Sequence, residues 1–383
     1  MDFSWTPEQI ELRDRIVEFA QSSLNDANRE RDRSEEFNRR GFELCAEFGI
    51  QSMAVPAAYN ASGIDTDLVT AALAMEAIGY GCRDNGLSMA LAAHMWTVQR
   101  PIAEYGSEDQ KQRFLPPLTA GELIGAHALT EPDAGSDNMA MQTTATPTDG
   151  GYVLNGHKRY ITLGPIADVV LVFATTDPAK GRWGMTALLV ETDRKGCDTT
   201  VVREKMGLRT VPMGDVVLSD CFVPEANRLG PEGAGASISS GSLAVERSFL
   251  LSTNVGTLQR QLEEAIAHAQ ERRQFGKPIG KFQSVSNRIA DMKLKLETAR
   301  LLLYKLAWML EQGESVALEA ALLKLHLSEV MVESSLDAIR IHGGAGYLTD
   351  AEIERDLRDA VGGVLYAGTS DIQRVLVARL LGL

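Results

Sequence analysis

One carboxylate in this chain stands among residues that would make it a base. Glu246 and Arg247 lie in the stretch SLAVERSFLL (242–251), otherwise dominated by Leu243, Val245, Phe249, Leu250 and Leu251. A glutamate buried beside apolar side chains holds a proton more tightly than one in water, which suits it to take a proton from a weak carbon acid. Adjacent residues of a helix point in different directions, so Glu246 and Arg247 do not simply neutralise each other. Periodicity alone favours the plainer reading, in which both sit at a solvent-facing flank of the helix.

Four other segments carry chemistry-bearing patterns. Thr130 to Asp137 reads TEPDAGSD, a turn rich in small residues after an apolar run; its amides and hydroxyls could face a planar polar ligand, or it could be a surface turn. Lys158 to Thr162 reads KRYIT, on its own an amphipathic strand. Glu271 to Gln283 reads ERRQFGKPIGKFQ, in which an arginine fork could meet a pyrophosphate, or in which a helix could end at Gly-Lys-Pro. Arg340 to Tyr347 reads RIHGGAGY, paired glycines that let a backbone approach phosphate or merely end a helix. No GxGxxG follows a strand and no GxxxxGK[ST] occurs, so neither a Rossmann site nor a P-loop is supported. His94, His157, His268, His326 and His342 read as isolated structural residues, with no Ser-His-Asp or Cys-His spacing around them.

The elements that must position these segments are legible in outline. Thr6-Pro7-Glu8-Gln9 predicts a helix start with a capping box. Alanine-rich stretches over 66–78 and 86–105 continue a helical lobe, which Pro116-Pro117 is expected to break. Short runs rich in β-branched residues then follow at 152–154, 168–173, 185–190, 199–202 and 216–218. They lack intervening helices, which predicts antiparallel strands. From Ala236 the helical period returns. Ile289, Met292, Leu296, Leu303, Leu306 and Leu310 predict one face of a long helix ending at Gly313. A second helix runs through Leu322, Leu325 and Val332 to Ile341, so the C-terminal part reads as an antiparallel bundle. The fold class is α+β: helical domain 1–123, central antiparallel β domain 124–233, and helical bundle 234–383.

Composition narrows the function. The 383 residues are 44% hydrophobic, enough for a sizeable core, and carry a net charge of −14. That acidity argues against nucleic acid and against an anionic membrane surface. The four cysteines form no Cys-x-x-Cys pair and no metal site is expected. The N-terminus does not read as a signal peptide and no apolar stretch spans a bilayer, so a cytoplasmic location is expected.

The last motif gives the family. Leu365 to Gln373 reads LYAGTSDIQ and resembles the C-terminal signature of the acyl-CoA dehydrogenases, in many of which the residue before the glycine is the catalytic glutamate. Here that residue is Ala367. In the isovaleryl-CoA and long-chain branches the base comes instead from the helix that here contains Glu246, and the C-terminal position is small. The resemblance covers nearly the whole chain. It implies an FAD enzyme that introduces an α,β double bond into an acyl thioester, with Glu246 as base, flavin N5 as hydride acceptor, and the Ala367 N–H as an oxyanion donor.

The resemblance also implies site residues. Leu129 and Thr130 would meet the flavin pyrimidine edge, with His127 where an aromatic residue is common. Gly135 and Ser136 would lie beside the cofactor, and Ser136 also beside the substrate pantetheine. Tyr160 would flank the isoalloxazine and Thr162 its N5 edge, with Ile161 between them. Arg272, Gln274, Phe275 and Gln283 would reach a neighbouring subunit's FAD, as would Arg340 (a usual glutamine), Gly343 and Gly344. Thr369 and Asp371 are assigned to the cofactor, and Arg247, Tyr366 and Gly368 to the substrate. Asp133 replaces a common glycine and Leu163 a usual asparagine. Stretches 83–96 and 206–213 are similar to the subgroup acting on carrier-protein-bound acyl groups, of prolyl-carrier-protein oxidase type. The substrate would be an acyl-CoA or acyl-carrier-protein thioester, the acceptor electron-transfer flavoprotein or oxygen, and the assembly a homotetramer built as a dimer of dimers. The alternative is a homologue that has lost its chemistry, with Ala367 as the scar.

Overall fold

The computed structural model describes residues 4–383, with the backbone alone described over 242–244, so Leu243 of the apolar helix lies outside the described side chains. The chain begins with helices α1 (Pro7–Ser23), α2 (Asn28–Ser34), α3 (Arg39–Phe48), α4 (Leu68–Gly81), α5 (Asn85–Ala93), α6 (Arg100–Tyr105) and α7 (Glu108–Thr119). Thr6 and Gln9 form the expected reciprocal capping box on α1. A π-helical segment, His94–Gln99, joins α5 to α6 in one fully buried run. Pro116 and Pro117 do not break the lobe: both lie inside α7, whose turn is held by burial of Phe114, Leu115 and Leu118, and the chain leaves only at Gly121, with φ 72°. Hydrophobic packing outweighs the two missing amide donors there.

The sheet comprises β1 (Gly125–Ala128), β2 (Thr144–Thr148), β3 (Gly151–Thr162), β4 (Val169–Thr175), β5 (Met185–Glu191), β6 (Cys197–Asp198), β7 (Met213–Pro224) and β8 (Arg228–Leu229). Its order is β6-β7-β3-β2-β4-β5-β8, mostly antiparallel, with β1 beside β4. The sheet departs from expectation where β1 pairs in parallel with β4, Gly125 opposite Val169 through Ala128 opposite Val172. The β2–β3 hairpin supplies the crossover between them. The expected strand over 199–202 shrinks to an isolated bridge between Val202 and Gly214.

Helices α8 (Gly235–Phe249), α9 (Ser252–Glu271), α10 (Gln283–Glu311) and α11 (Ala317–His342) form the bundle. A small hairpin, β9 (Arg273–Gln274) and β10 (Lys277–Pro278), joins α9 to α10. Short α12 (Gly344–Tyr347), then α13 (Ile353–Gly363) and α14 (Ser370–Leu380), complete the chain. Met292, Leu296, Leu303 and Leu306 are buried along α10 as their spacing predicts. On the other side of α10, Leu294, Leu301 and Trp308 recur every seven residues and are exposed. No described helix is long and apolar enough to cross a membrane.

Helices α4 and α9 cross at two glycines. A Cβ on Gly79 would stand 1.8 Å from the Thr253 carbonyl oxygen, and one on Gly256 would stand 1.9 Å from that of Glu76. Backbone, not a flexible side chain, occupies both spaces, so the helices would have to part. Gly256→Ala is expected to destabilise the protein by roughly 1–3 kcal/mol, despite alanine's better helix propensity. Denaturant unfolding of the variant beside the parent checks this.

Candidate active site

Helix α8 carries Glu246 inward. The side chain is 7% exposed, and its Oε2 has no hydrogen-bond partner. Burial pushes its pKa up to about 7, while the charges of Arg247 and Lys324 pull the other way. Lys324, on α11, is fully buried and its Nζ is likewise unpartnered. Burial, then the charge of Arg247, lowers its pKa to about 8. A small cavity of about 20 Å³ is lined by Leu250, one turn beyond Glu246, with Met89, Asn85, Asn254, Asp359 and Tyr366 around it. That is room for a single water, with polar as well as apolar walls.

The turn before α14 meets this helix. Ala367 and Gly368 both have left-handed backbones, with φ 54° and 83°. Such a conformation strains an alanine, and strain of this kind collects at functional sites. The turn is held from four sides. Gln373 Nε2 donates to the carbonyls of Ala367 at 3.2 Å and Gly368 at 3.0 Å. Arg247 Nε donates to the Ala367 oxygen at 3.5 Å. Thr369 caps α14 by accepting from Ile372 N. Ser370 N donates to Val364 O at 2.9 Å. A Cβ on Gly368 would lie 2.6 Å from Gln373 Nε2, so the glycine serves closeness as well as conformation. With both carbonyls engaged, the Ala367 N–H donates to no described residue.

A second group of residues gathers where β1 and β3 end. Lys158 is fully buried, yet it is closed on both sides: its Nζ donates to Glu131 Oε1 at 2.7 Å and to Leu129 O at 3.1 Å. Glu131 also accepts from the backbone of Gln142 and Thr143. Burial lowers the lysine pKa to about 8 against the pull of Glu131; burial raises the carboxyl, but Lys158 outweighs it and the net shift is downward. This pair pins the 129–136 loop to β3. Arg159 N completes the join by donating to Thr130 O at 2.9 Å. Beyond it Tyr160 turns left-handed, φ 62°, and leaves its ring 53% exposed. Leu163, where an asparagine would be at ease, is also left-handed at φ 65° and is compensated by complete burial. Thr130 and Thr162 are half-buried and Ser136 is exposed beside them.

The whole chain matches known proteins. Residues 6–122, 126–221 and 233–382 match the N-terminal, middle and C-terminal domain models of acyl-CoA dehydrogenase. The chain belongs to the acyl-CoA dehydrogenase family. Among its relatives is an L-prolyl-[peptidyl-carrier protein] dehydrogenase of Pseudomonas fluorescens, 42% identical across all of both chains. The crystal structure of the prolyl acyl carrier protein oxidase AnaB superposes with a TM-score of 0.96 at 45% identity, covering 99% of this chain and 100% of that one. The structure of PigA with FAD and proline gives 0.97 at 39%, covering all of both. This acyl-CoA dehydrogenase is an FAD-dependent oxidoreductase acting on the CH–CH bond of an acyl thioester.

The residues fit that cofactor. An exposed tyrosine ring on a strained backbone, beside the amides of a pinned loop and the unpartnered buried Nε2 of His127, presents a flat face with polar edges. Ile161 departs from expectation, because its side chain points into the core and leaves only backbone for a ligand. Thr369 and Asp371 have local duties, the first as helix cap and the second paired with Arg374 at 3.2 Å. Arg272, Gln274, Phe275 and Gln283 do not join this face; they are exposed on and beside the hairpin, Phe275 at 91% with φ 51°. Arg340, paired with Asp337 at 3.2 Å, is exposed like Gly343 and Gly344 at the end of α11.

Three features escaped the sequence reading. The Glu131–Lys158 pair spans two motifs that were read separately. Lys324 shares the buried face of Ala320, Leu327 and Met331, a register in which a lysine is out of place. The histidines are not all isolated: His268 and His342 stack with ring centroids 4.3 Å apart, and His157 meets Asp215 at 2.8 Å.

A carboxyl raised from an ordinary 4.5 to about 7 weakens the fold wherever it must be charged. The folded state holds the proton more tightly, so this stability is present below pH 4.5 and is lost as pH rises to about 7. Glu246→Gln removes that loss. The variant is expected to gain stability relative to the parent across this window, by up to about 3 kcal/mol at pH 8, as read by denaturant unfolding at several pH values.

Proposed function

We propose that Glu246 is the base of an FAD-dependent α,β-dehydrogenation acting on a prolyl group held as a thioester on a carrier protein. The carrying observation is a buried carboxylate with an open oxygen, on a helix tied through Arg247 to the turn whose usual glutamate is replaced by Ala367. Glu246 takes the α-proton and becomes the neutral acid. The C–H electron pair moves toward the thioester carbonyl, whose oxygen gathers charge. The Ala367 N–H, left free by the way its turn is fastened, donates to that oxygen. The bond pair then forms the α,β double bond as hydride leaves the β-carbon. Bound FAD supplies the two-electron acceptor for that hydride.

The cavity beside Leu250 holds no more than a water, so the reading of the acyl group as prolyl rests on the relatives and not on that space. Full-length identity of 42% and 45% to prolyl-carrier enzymes supports the carrier over coenzyme A. His127, Leu129, Thr130, Gly135, Ser136, Tyr160 and Thr162 would hold the flavin end of FAD. Arg272, Gln274, Phe275, Gln283, Arg340, Gly343 and Gly344 would serve the FAD of a second copy, which explains a nearly naked Phe275 on a strained backbone. The exposed Leu294, Leu301 and Trp308 stripe supports the same homo-oligomer, a dimer of dimers. We place the enzyme in the cytoplasm, with oxygen or electron-transfer flavoprotein reoxidising it.

Anaerobic mixing of the yellow holoenzyme with a panel of acyl-CoA and acyl-carrier thioesters tests this reading. L-prolyl-carrier thioester is expected to bleach the flavin fastest, at a rate that rises with pH through about 7 as Glu246 loses its proton. Glu246→Gln, with flavin retained, should bleach roughly 10²–10⁴-fold more slowly. Unchanged colour with every thioester would favour an inert homologue. Full activity in Glu246→Gln would remove the base assignment.

A further inference from the structure

Two lysines are fully buried in this protein, Lys158 and Lys324, and they are treated differently. Lys158 has a carboxylate at 2.7 Å and a carbonyl at 3.1 Å. It shows what a structural buried lysine looks like in this chain. Lys324 has no hydrogen-bond partner for its ammonium group. Leaving a buried cation open is costly, so a fold that does so calls for a reason. Helix α11 packs against α8, which carries Glu246, and Glu246 also keeps its Oε2 without a partner; the two groups form no ion pair but act on each other's charge. The charged groups acting here are few. Arg247 lies on the same helix as Glu246 and is tethered to the Ala367 carbonyl. Lys324 lies on α11, and Glu329, one turn further along α11, draws on Lys324.

We propose that Lys324 is a positioning residue for the base: its free ammonium group holds the buried Glu246 carboxyl closer to its ionised, proton-accepting form than burial alone would. The inference rests on the reading of Glu246 as base. Burial alone drives Glu246 toward its neutral acid, which cannot take a proton, and an acyl group that displaces water deepens that burial. Arg247 is held in place by the 367 turn. An apolar residue in place of Lys324 would leave burial opposed by Arg247 alone and Glu246 protonated to a higher pH. The pKa directions agree: burial pushes Glu246 up, and Arg247 first and then Lys324 pull it down.

The test is a pH titration of the holoenzyme by infrared difference spectroscopy. The protonated-carboxyl band of Glu246 is identified by its absence in Glu246→Gln. Lys324→Met keeps the side-chain volume and removes the charge; Lys324→Gln is a second neutral variant, and Lys324→Arg keeps the charge. Flavin absorbance and melting temperature verify that each variant is folded and loaded. The Glu246 midpoint is expected to move up by about one pH unit or more in the neutral variants and to stay near the parent value in Lys324→Arg. The acid limb of L-prolyl-carrier-driven flavin bleaching should move with it. An unmoved midpoint in whichever neutral variant folds overturns the proposal, whatever happens to activity. Glu246→Gln bleaching at the parental rate would instead sink the base reading and leave the midpoint result standing by itself.

Discussion

The site depends on the fastening of one turn to one helix. Arg247 reaches the carbonyl of Ala367, and Gln373 takes the same carbonyl and the next. Because these carbonyls are held from behind, two consecutive left-handed residues are tolerated and the amide of Ala367 stays open. The residue beside Arg247 is Glu246, so the contact that reaches the turn comes from the same turn of α8 that carries the buried carboxyl. Losing the glutamate at 367 removes a side chain and leaves the backbone donor untouched.

Burial has opposite consequences for two of the inner charge clusters among the described residues. At Glu131 and Lys158 every strong donor is answered, and the result is a rigid seam between the 129–136 loop and β3. Glu246 and Lys324 are buried with an oxygen and an ammonium left unpartnered, and burial raises the carboxyl to about 7 and lowers the amine to about 8. The first cluster holds a surface in shape. The second keeps a proton easily moved, at the expense of stability.

Much of this was legible in the sequence because local patterns carried it. The Thr6–Gln9 box, the α10 face and the end of α10 before Gly313 follow from helix chemistry within a few residues. Glu246 stood out through the resemblance that couples it to Ala367, not through its neighbours, whose spacing favoured a solvent-facing flank; its burial is what the structure adds. Non-local features were not legible. Nothing near Pro116 signals that Leu115 and Leu118 would be buried deeply enough to carry the helix through two prolines. The parallel pairing of β1 with β4 depends on a crossover, not on either strand's composition. Tyr160 and Ala367 adopt left-handed backbones that no local rule assigns to tyrosine or alanine. Lys324 did leave a signal, a lysine in the buried register of α11, but its meaning required knowing which helix lay opposite.

The most direct measurement is a crystal structure of the holoenzyme with an unreactive thioether analogue of the prolyl-carrier thioester. The account predicts a Glu246 oxygen about 3–3.5 Å from the substrate's α-carbon, with the Ala367 amide on the carbonyl oxygen. A Glu246 side chain turned away from the bound analogue, or a different carboxylate on the α-carbon, would contradict it.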